Sequence, residues 1–162
     1  MPVAAVVLAA GAATRYGRPK QRELLPAVLA RLADTPVDEV VVVAGAYSLD
    51  VAARVVVAAD WERGPGASLR AGLAATADDV THAVVVLADG PRLDPRAVER
   101  LLAHRDEAEV LAASYDGTRD HPVLLARSVW ASVPDEGGRA LAATLVDCSD
   151  LDPPGDVDVP GV

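Results

Sequence analysis

Three stretches of the chain are apolar almost without interruption: Val3 to Leu8, Glu39 to Gly45 with valines at 40, 41, 42 and 43, and His82 to Asp89 around Val84, Val85, Val86 and Leu87. Unbroken β-branched runs of this length, closed by glycine or a turn residue, mark strands that are covered on both faces. Between them the apolar period changes. Leu24, Leu25, Val28, Leu29 and Leu32 recur at helical spacing up to the stop at Asp34-Thr35-Pro36. Ala67 to Ala77 reads as a second helix rich in Ala and Leu, and a third starts from Asp94 as N-cap, with Pro95 in its first turn and Val98, Leu101 and Leu102 on its apolar face.

Strand and helix in alternation predict a mainly parallel sheet with helices on both faces and right-handed crossovers. The last third departs from this. Val110 to Tyr115, the turn Asp116-Gly117 and Pro122 to Leu125 read as a hairpin, which predicts mixed strands at an edge of the sheet. The Pro- and Asp-rich stretch from Asp150 to Val162 reads as irregular. No internal repeat or low-complexity linker divides the chain, so residues 1–162 are expected to form one α/β domain with three layers, α/β/α.

Composition narrows the core and the partners. Phe is absent and aromatics make up 3% of the chain, so the core must be built from Val, Leu and Ala. A net charge of -9 argues against a nucleic-acid partner, which would need a basic face. The first apolar run lacks a basic lead-in and is too short to span a bilayer, so no membrane partner is expected. The lone cysteine, Cys148, excludes an intrachain disulfide and fits a reducing, cytoplasmic setting.

Chemistry concentrates after the first strand. A buried strand that runs into Gly11 and then a polar loop places backbone amides at the carboxyl edge of the sheet, where open α/β folds bind ligands. The loop is neither a P-loop nor a G-x-G-x-x-G turn. Two cations set it apart: Arg15, and Lys20 behind Pro19. Of 15 basic residues only Lys20 is a lysine, so the chain's one ammonium, a compact charge with three rotatable donors, stands in this loop.

From Leu8 to Lys20 the sequence L-A-A-G-x-x-x-R-x-G-x-P-K resembles the nucleotide-binding signature of the MobA-like family, the molybdenum cofactor cytidylyl- and guanylyltransferases, and of the wider sugar-nucleotide pyrophosphorylases. Four later segments are similar to family motifs in family order: Asp60 to Leu73, Val84 to Pro91, His121 to Leu124, and Asp156 to Pro160. The resemblance implies a GT-A-like, Rossmann-like fold and Mg²⁺-dependent transfer of a nucleoside monophosphate to a phosphorylated acceptor such as molybdopterin. It also implies a triphosphate cradle of Leu8, Ala9, Ala10 and Gly11, with Arg15 and Lys20 on the β and γ phosphates and Ser68 adding a polar contact. The family's Ala-Ala-Gly form of the loop, carried here by Ala9, Ala10 and Gly11, points to CTP before GTP.

Magnesium needs only one or two carboxylates beside phosphate oxygens. Asp89, closing a buried strand, is the first expected ligand, and Asp158 is the ligand implied by the family, with Asp156 its neighbouring rival. Arg15, Lys20 and Asp89 are the residues expected to carry catalysis. His121 is read as structural, because a phosphate nucleophile needs little proton removal, and Trp61 and Trp130 are read as packing residues. The chain departs from the family pattern at Gln21-Arg22-Glu23 after the loop, at Gly90 after the metal Asp and at Asp120 before His-Pro. A nucleotide-binding protein without turnover is therefore the alternative. An NAD(P)-linked oxidoreductase is disfavoured by the missing dinucleotide glycines.

Overall fold

In the computed structural model, which describes residues 2–9, 20–45 and 53–155 (side chains from residue 24 in the second stretch), the apolar runs become the centre of a sheet. The strands are β1 (Val3–Ala9), β2 (Glu39–Ala44), β3 (Arg54–Val57), β4 (His82–Leu87), β5 (Val110–Tyr115), β6 (Thr118–Ala126) and β7 (Thr144–Asp147). They lie in the order β3-β2-β1-β4-β6-β5-β7. β1 pairs in parallel with both β2 and β4, β2 with β3, and β5 with β7, whereas β6 runs antiparallel to β4 and β5. The sheet is thus mixed but mainly parallel.

Among the described residues three α-helices cover it: α1 (Lys20–Leu32), α2 (Pro65–Ala74) and α3 (Pro95–Ala103). Alternation along the central strands divides their side chains between two cores. Ala5 and Val7 of β1 join Leu25, Val28 and Leu32 of α1 and Val98 and Leu101 of α3 on one face. Ala4 and Val6 join Leu69 and Leu73 of α2, with Trp130, on the other. This is the three-layer α/β/α architecture that the pattern predicts, and aliphatic side chains dominate both cores, as the absence of Phe requires.

Asp94 caps α3 as expected, its side chain accepting a hydrogen bond from the Arg96 amide, with Pro95 in the first turn. Other details correct the sequence reading. The β5–β6 hairpin forms around Asp116-Gly117, but it lies inside the sheet, with β6 inserted between β4 and β5. The edges are β3 and β7, four residues each, which the apolar pattern did not reveal. α2 covers Pro65–Ala74 rather than 67–77, because Gly64 and Pro65 begin the turn. α1 starts at Lys20 and continues through Pro26. The departure from the family pattern at Gln21-Arg22-Glu23 therefore lies within helix, although Pro26 removes one helical donor.

Candidate active site

The site is built from strand ends. Leu8 of β1 stands opposite Leu87 of β4, and the Ala88 amide donates to the Leu8 carbonyl at 3.0 Å. The start of the expected phosphate loop, at Leu8 and Ala9, and the partly exposed Asp89 therefore leave the sheet side by side at its carboxyl edge. In sequence, residues 10–19 join this strand end to Lys20, the first residue of α1. A helix N-terminus there adds a favourable field for phosphate. Ala10, Gly11, Arg15, Asp156, Asp158 and the side chain of Lys20 lie outside the described residues.

A second segment converges on the same edge. The Arg92 amide donates to the Pro154 carbonyl at 3.0 Å, and Gly90 packs so tightly that a Cβ on it would stand 3.1 Å from Pro154 Cβ and 3.4 Å from the Gly155 carbonyl oxygen. Gly90 directly follows Asp89, and Gly155 directly precedes Asp156. The departure from the family pattern at Gly90 thus lets the chain before the Asp-Val-Asp stretch settle beside Asp89. Among the described residues no cluster of three or more metal-ligating side chains occurs. One strand-end carboxylate, with two more aspartates just beyond Gly155, suits a cation that shares its shell with phosphates and water rather than one caged by protein.

The segment from Asp60 to Leu73 brings Pro65 and Leu69 to a cleft beside this edge, and its Ser68 turns inward. Ser68 is 3% exposed, inside the α2 face of the core. The Gly66 amide donates to the Asp135 carbonyl at 2.9 Å, and a Cβ on Gly66 would stand 1.6 Å from the Pro134 carbonyl oxygen. Arg70 donates to the Val133 carbonyl at 2.7 Å and to Asp135 Oδ1 at 2.6 Å, with Arg63 on the other carboxylate oxygen at 3.2 Å. These guanidinium contacts, that of Arg70 foremost, hold the Asp135 carboxyl below the usual carboxylate range. The start of α2 is thus a seat for the 133–138 segment, and the sequence offers no signal for that pairing across more than 60 residues.

That segment roofs a cleft of about 420 Å³ on the α2 side of the sheet. Leu8, Val85, Leu87, Val123 and Leu125 of the strands line it together with Pro65 and Leu69 of α2, against which Gly137 and Gly138 pack. β6 supplies Arg119, Asp120 and His121 at one end and Val123 and Leu125 at the other. Arg119 donates to the carbonyls of Gly138, at 3.0 Å, and Leu141, at 2.8 Å. A register shift opposite Ala112 and Ala113 places His121 at a bulge. There its carbonyl accepts from the Tyr115 hydroxyl at 3.0 Å, and its Nδ1 lies 3.5 Å from Asp120 Oδ1. The hydrogen bond with His121 lowers the Asp120 pKa, and burial raises that of Tyr115.

Trp61 packs against the α2-side core, and Trp130 is buried with its indole N–H donating to the Leu125 carbonyl, so both are packing residues. No helix among the described residues is long and apolar enough to cross a membrane.

A strand-end carboxylate beside a loop between β1 and α1, on a sheet of this order, is the arrangement of a nucleotidyltransferase. The chain belongs to the MobA-like NTP transferase domain family, whose profile matches residues 5–147. It is 34% identical to the nicotine blue oxidoreductase of Paenarthrobacter nicotinovorans over 96% of this chain and 92% of that protein. Among solved structures it resembles Rv0371c from Mycobacterium tuberculosis H37Rv, with a TM-score of 0.80 and 28% identity over 99% of this chain and 95% of that one. The manganese complex of Rv0371c superimposes with a TM-score of 0.72 and 25% identity over 91% and 89% of the two chains.

Proposed function

We propose that the protein transfers CMP from CTP to a phosphorylated acceptor, with molybdopterin the acceptor implied by the family, and releases pyrophosphate. The observation that carries this reading is the meeting of three segments at one edge: the end of β1, Asp89 at the end of β4, and the chain at Gly155 packed on Gly90. An acceptor phosphate oxygen attacks the α-phosphorus, the bond to the bridging oxygen of the β-phosphate breaks, and pyrophosphate departs with that electron pair. Arg15 and Lys20 hold the β and γ phosphates and stabilise the charge that builds on the leaving group. Leu8, Ala9, Ala10 and Gly11 bring backbone to the phosphates. Ser68, which the family motif assigns a polar contact near the nucleotide, is 3% exposed, so that contact requires α2 to shift on binding. Asp89 and Asp158 hold a divalent cation. Bound Mg²⁺ neutralises phosphate charge and orients the α-phosphate. A metal role is supported by the manganese complex of Rv0371c. The lone, buried Cys148 is in keeping with a cytoplasmic protein.

A second reading is favoured by the relative at 34% identity, which is named an oxidoreductase. In that case the same edge would hold the pyrophosphate of a pyridine dinucleotide. Calorimetric titration with CTP, GTP and NADPH, each with and without Mg²⁺, separates the readings. CTP is expected to bind tightest and only with the cation. Tighter NADPH binding assigns the site to redox chemistry. Mg²⁺-dependent CTP binding with no pyrophosphate release across phosphorylated acceptors, molybdopterin included, leaves a nucleotide-binding protein without turnover.

A further inference from the structure

The two edges of the sheet are not guarded alike. Along a strand the amide and carbonyl of one residue point to the same side, and successive residues alternate. In β7 the Cys148 amide donates to the Ser114 carbonyl of β5, so Val146 also turns inward, and Leu145 and Asp147 turn outward. There Arg100 occupies the Asp147 carbonyl at 3.0 Å, and the exposed Asp147 carboxylate sets a charge on the edge. In β3 the Ala58 amide donates to the Ala44 carbonyl of β2 at 2.7 Å, so Val56 turns inward while Val55 and Val57 present amides and carbonyls outward. Neither lysine nor proline interrupts this row, and the one charged side chain of β3, Arg54, is drawn back to the Ala75 carbonyl beside the C-terminus of α2. Val57 is 71% exposed, the most exposed large apolar side chain among the described residues. A bare edge of this kind is a template for another strand.

Charge and alternation decide which strand fits. From Val55 to Ala59 the edge carries no charge, in a chain of net charge -9, so a strongly basic or acidic segment finds no counter-charge along it. The same run turned end for end does fit. With Val56 on a two-fold axis, Val55 of one copy faces Val57 of the other, and each such pair exchanges both main-chain hydrogen bonds. Val55 packs on the α1-side core and Val56 on the α2-side core, so Val57 shares the face of Val55. The valine pairs then cluster on one face, and Val56 meets its own copy on the other. The antiparallel turn also brings Arg54, at the start of the strand, toward the exposed Asp60 that follows its end in the other copy.

We propose that β3 is a homodimer interface, where two copies pair antiparallel about Val56 and join their sheets into one. Pairing of β3 with β7 of the next copy would leave free edges and grow a filament, whereas this arrangement closes. The inference goes beyond the proposed activity and does not depend on it.

Sedimentation velocity of the full-length protein over a range of concentrations reads the oligomeric state. The parent is expected to dimerise. Val57→Lys, which sets an ammonium on each side of the axis at an exposed position, is expected to weaken association by about tenfold or more, whereas Leu145→Lys on the other edge keeps the dimer. Val56→Cys gives a second readout. A non-hydrogen-bonded antiparallel pair holds its Cα atoms about 4.5 Å apart, within the span of about 4.4–6.8 Å that a disulfide bridges. The native Cys148 is buried and does not compete. Mild oxidation is expected to link Val56→Cys chains in pairs and to leave the more exposed Leu145→Cys unlinked, and this result decides the matter if Val57→Lys melts early. A monomeric parent, a dimer that persists in folded Val57→Lys, a dimer lost in Leu145→Lys, or cross-linking of Leu145→Cys as fast as that of Val56→Cys overturns the proposal.

Discussion

At the residue scale the site turns on carboxylates whose neighbours are glycines. Asp89 follows a strand buried on both faces, so its position is inherited from β4 rather than from a loop, and Gly90 lets the Pro154-Gly155 segment approach it. In Asp89→Asn the shape is kept and one negative charge is lost at the edge proposed to hold cation and triphosphate. The parent is expected to bind CTP more tightly with Mg²⁺ than without it, and Asp89→Asn to lose most of that difference while melting no lower than the parent. Titration of parent, Asp89→Asn and Asp158→Asn with and without Mg²⁺ measures this. If Asp89→Asn keeps the full magnesium effect and Asp158→Asn loses it, the cation belongs elsewhere. The place of Asp89 at a strand end was legible in the sequence because it closes a buried apolar run. Ser68 was placed by motif alone, and the packing of α2 turns it into the core.

At the scale of elements, legibility followed burial. β1, β2 and β4 are covered on both faces and read as unbroken apolar runs, whereas β3 and β7 are short edge strands with mostly exposed or half-exposed residues, so neither shows a pattern. The hairpin was legible from Asp116-Gly117, but not its place inside the sheet, since strand order depends on pairings between distant segments. The roof was illegible for the same reason. It is held by polar contacts at Arg70, Asp135 and Arg119, which leave no periodic trace. Those contacts predict a pH response. The folded-state pKa of Asp135 lies below its ordinary value of 3.8, so the stability it contributes is present above that value and is lost as pH falls through the lowered one. Denaturant midpoints of the parent and Asp135→Asn should therefore differ at neutral pH, with the parent more stable, and converge as pH falls below the ordinary value of 3.8. A constant gap over that range would show that the Arg70 pairing does not hold the roof.

On the scale of the whole molecule, a single sheet separates two cores, and the central strands belong to both. Ala5 and Val7 of β1 and Val84 and Val86 of β4 face α1 and α3, while Ala4, Val6, Ala83 and Val85 face α2. Neither core can lose its strands without dismantling the other, so the chain is proposed to unfold as one cooperative unit, in line with a single domain. The two tryptophans make this measurable, because Trp61 and Trp130 both lie with the α2-side core. Leu101 is fully buried in the opposite core. Leu101→Ala leaves a cavity there and is expected to cost about 2–5 kcal/mol. If folding is cooperative, tryptophan fluorescence, which sees only the far side of the sheet, should report the same loss as far-UV circular dichroism, with coincident midpoints. Leu73→Ala, in the core the tryptophans share, should behave alike by both probes. A fluorescence midpoint that stays at the parent value in Leu101→Ala while the circular dichroism midpoint falls would mean that the two faces unfold separately, and the α2 face with its cleft would then be a unit stable without α1 and α3.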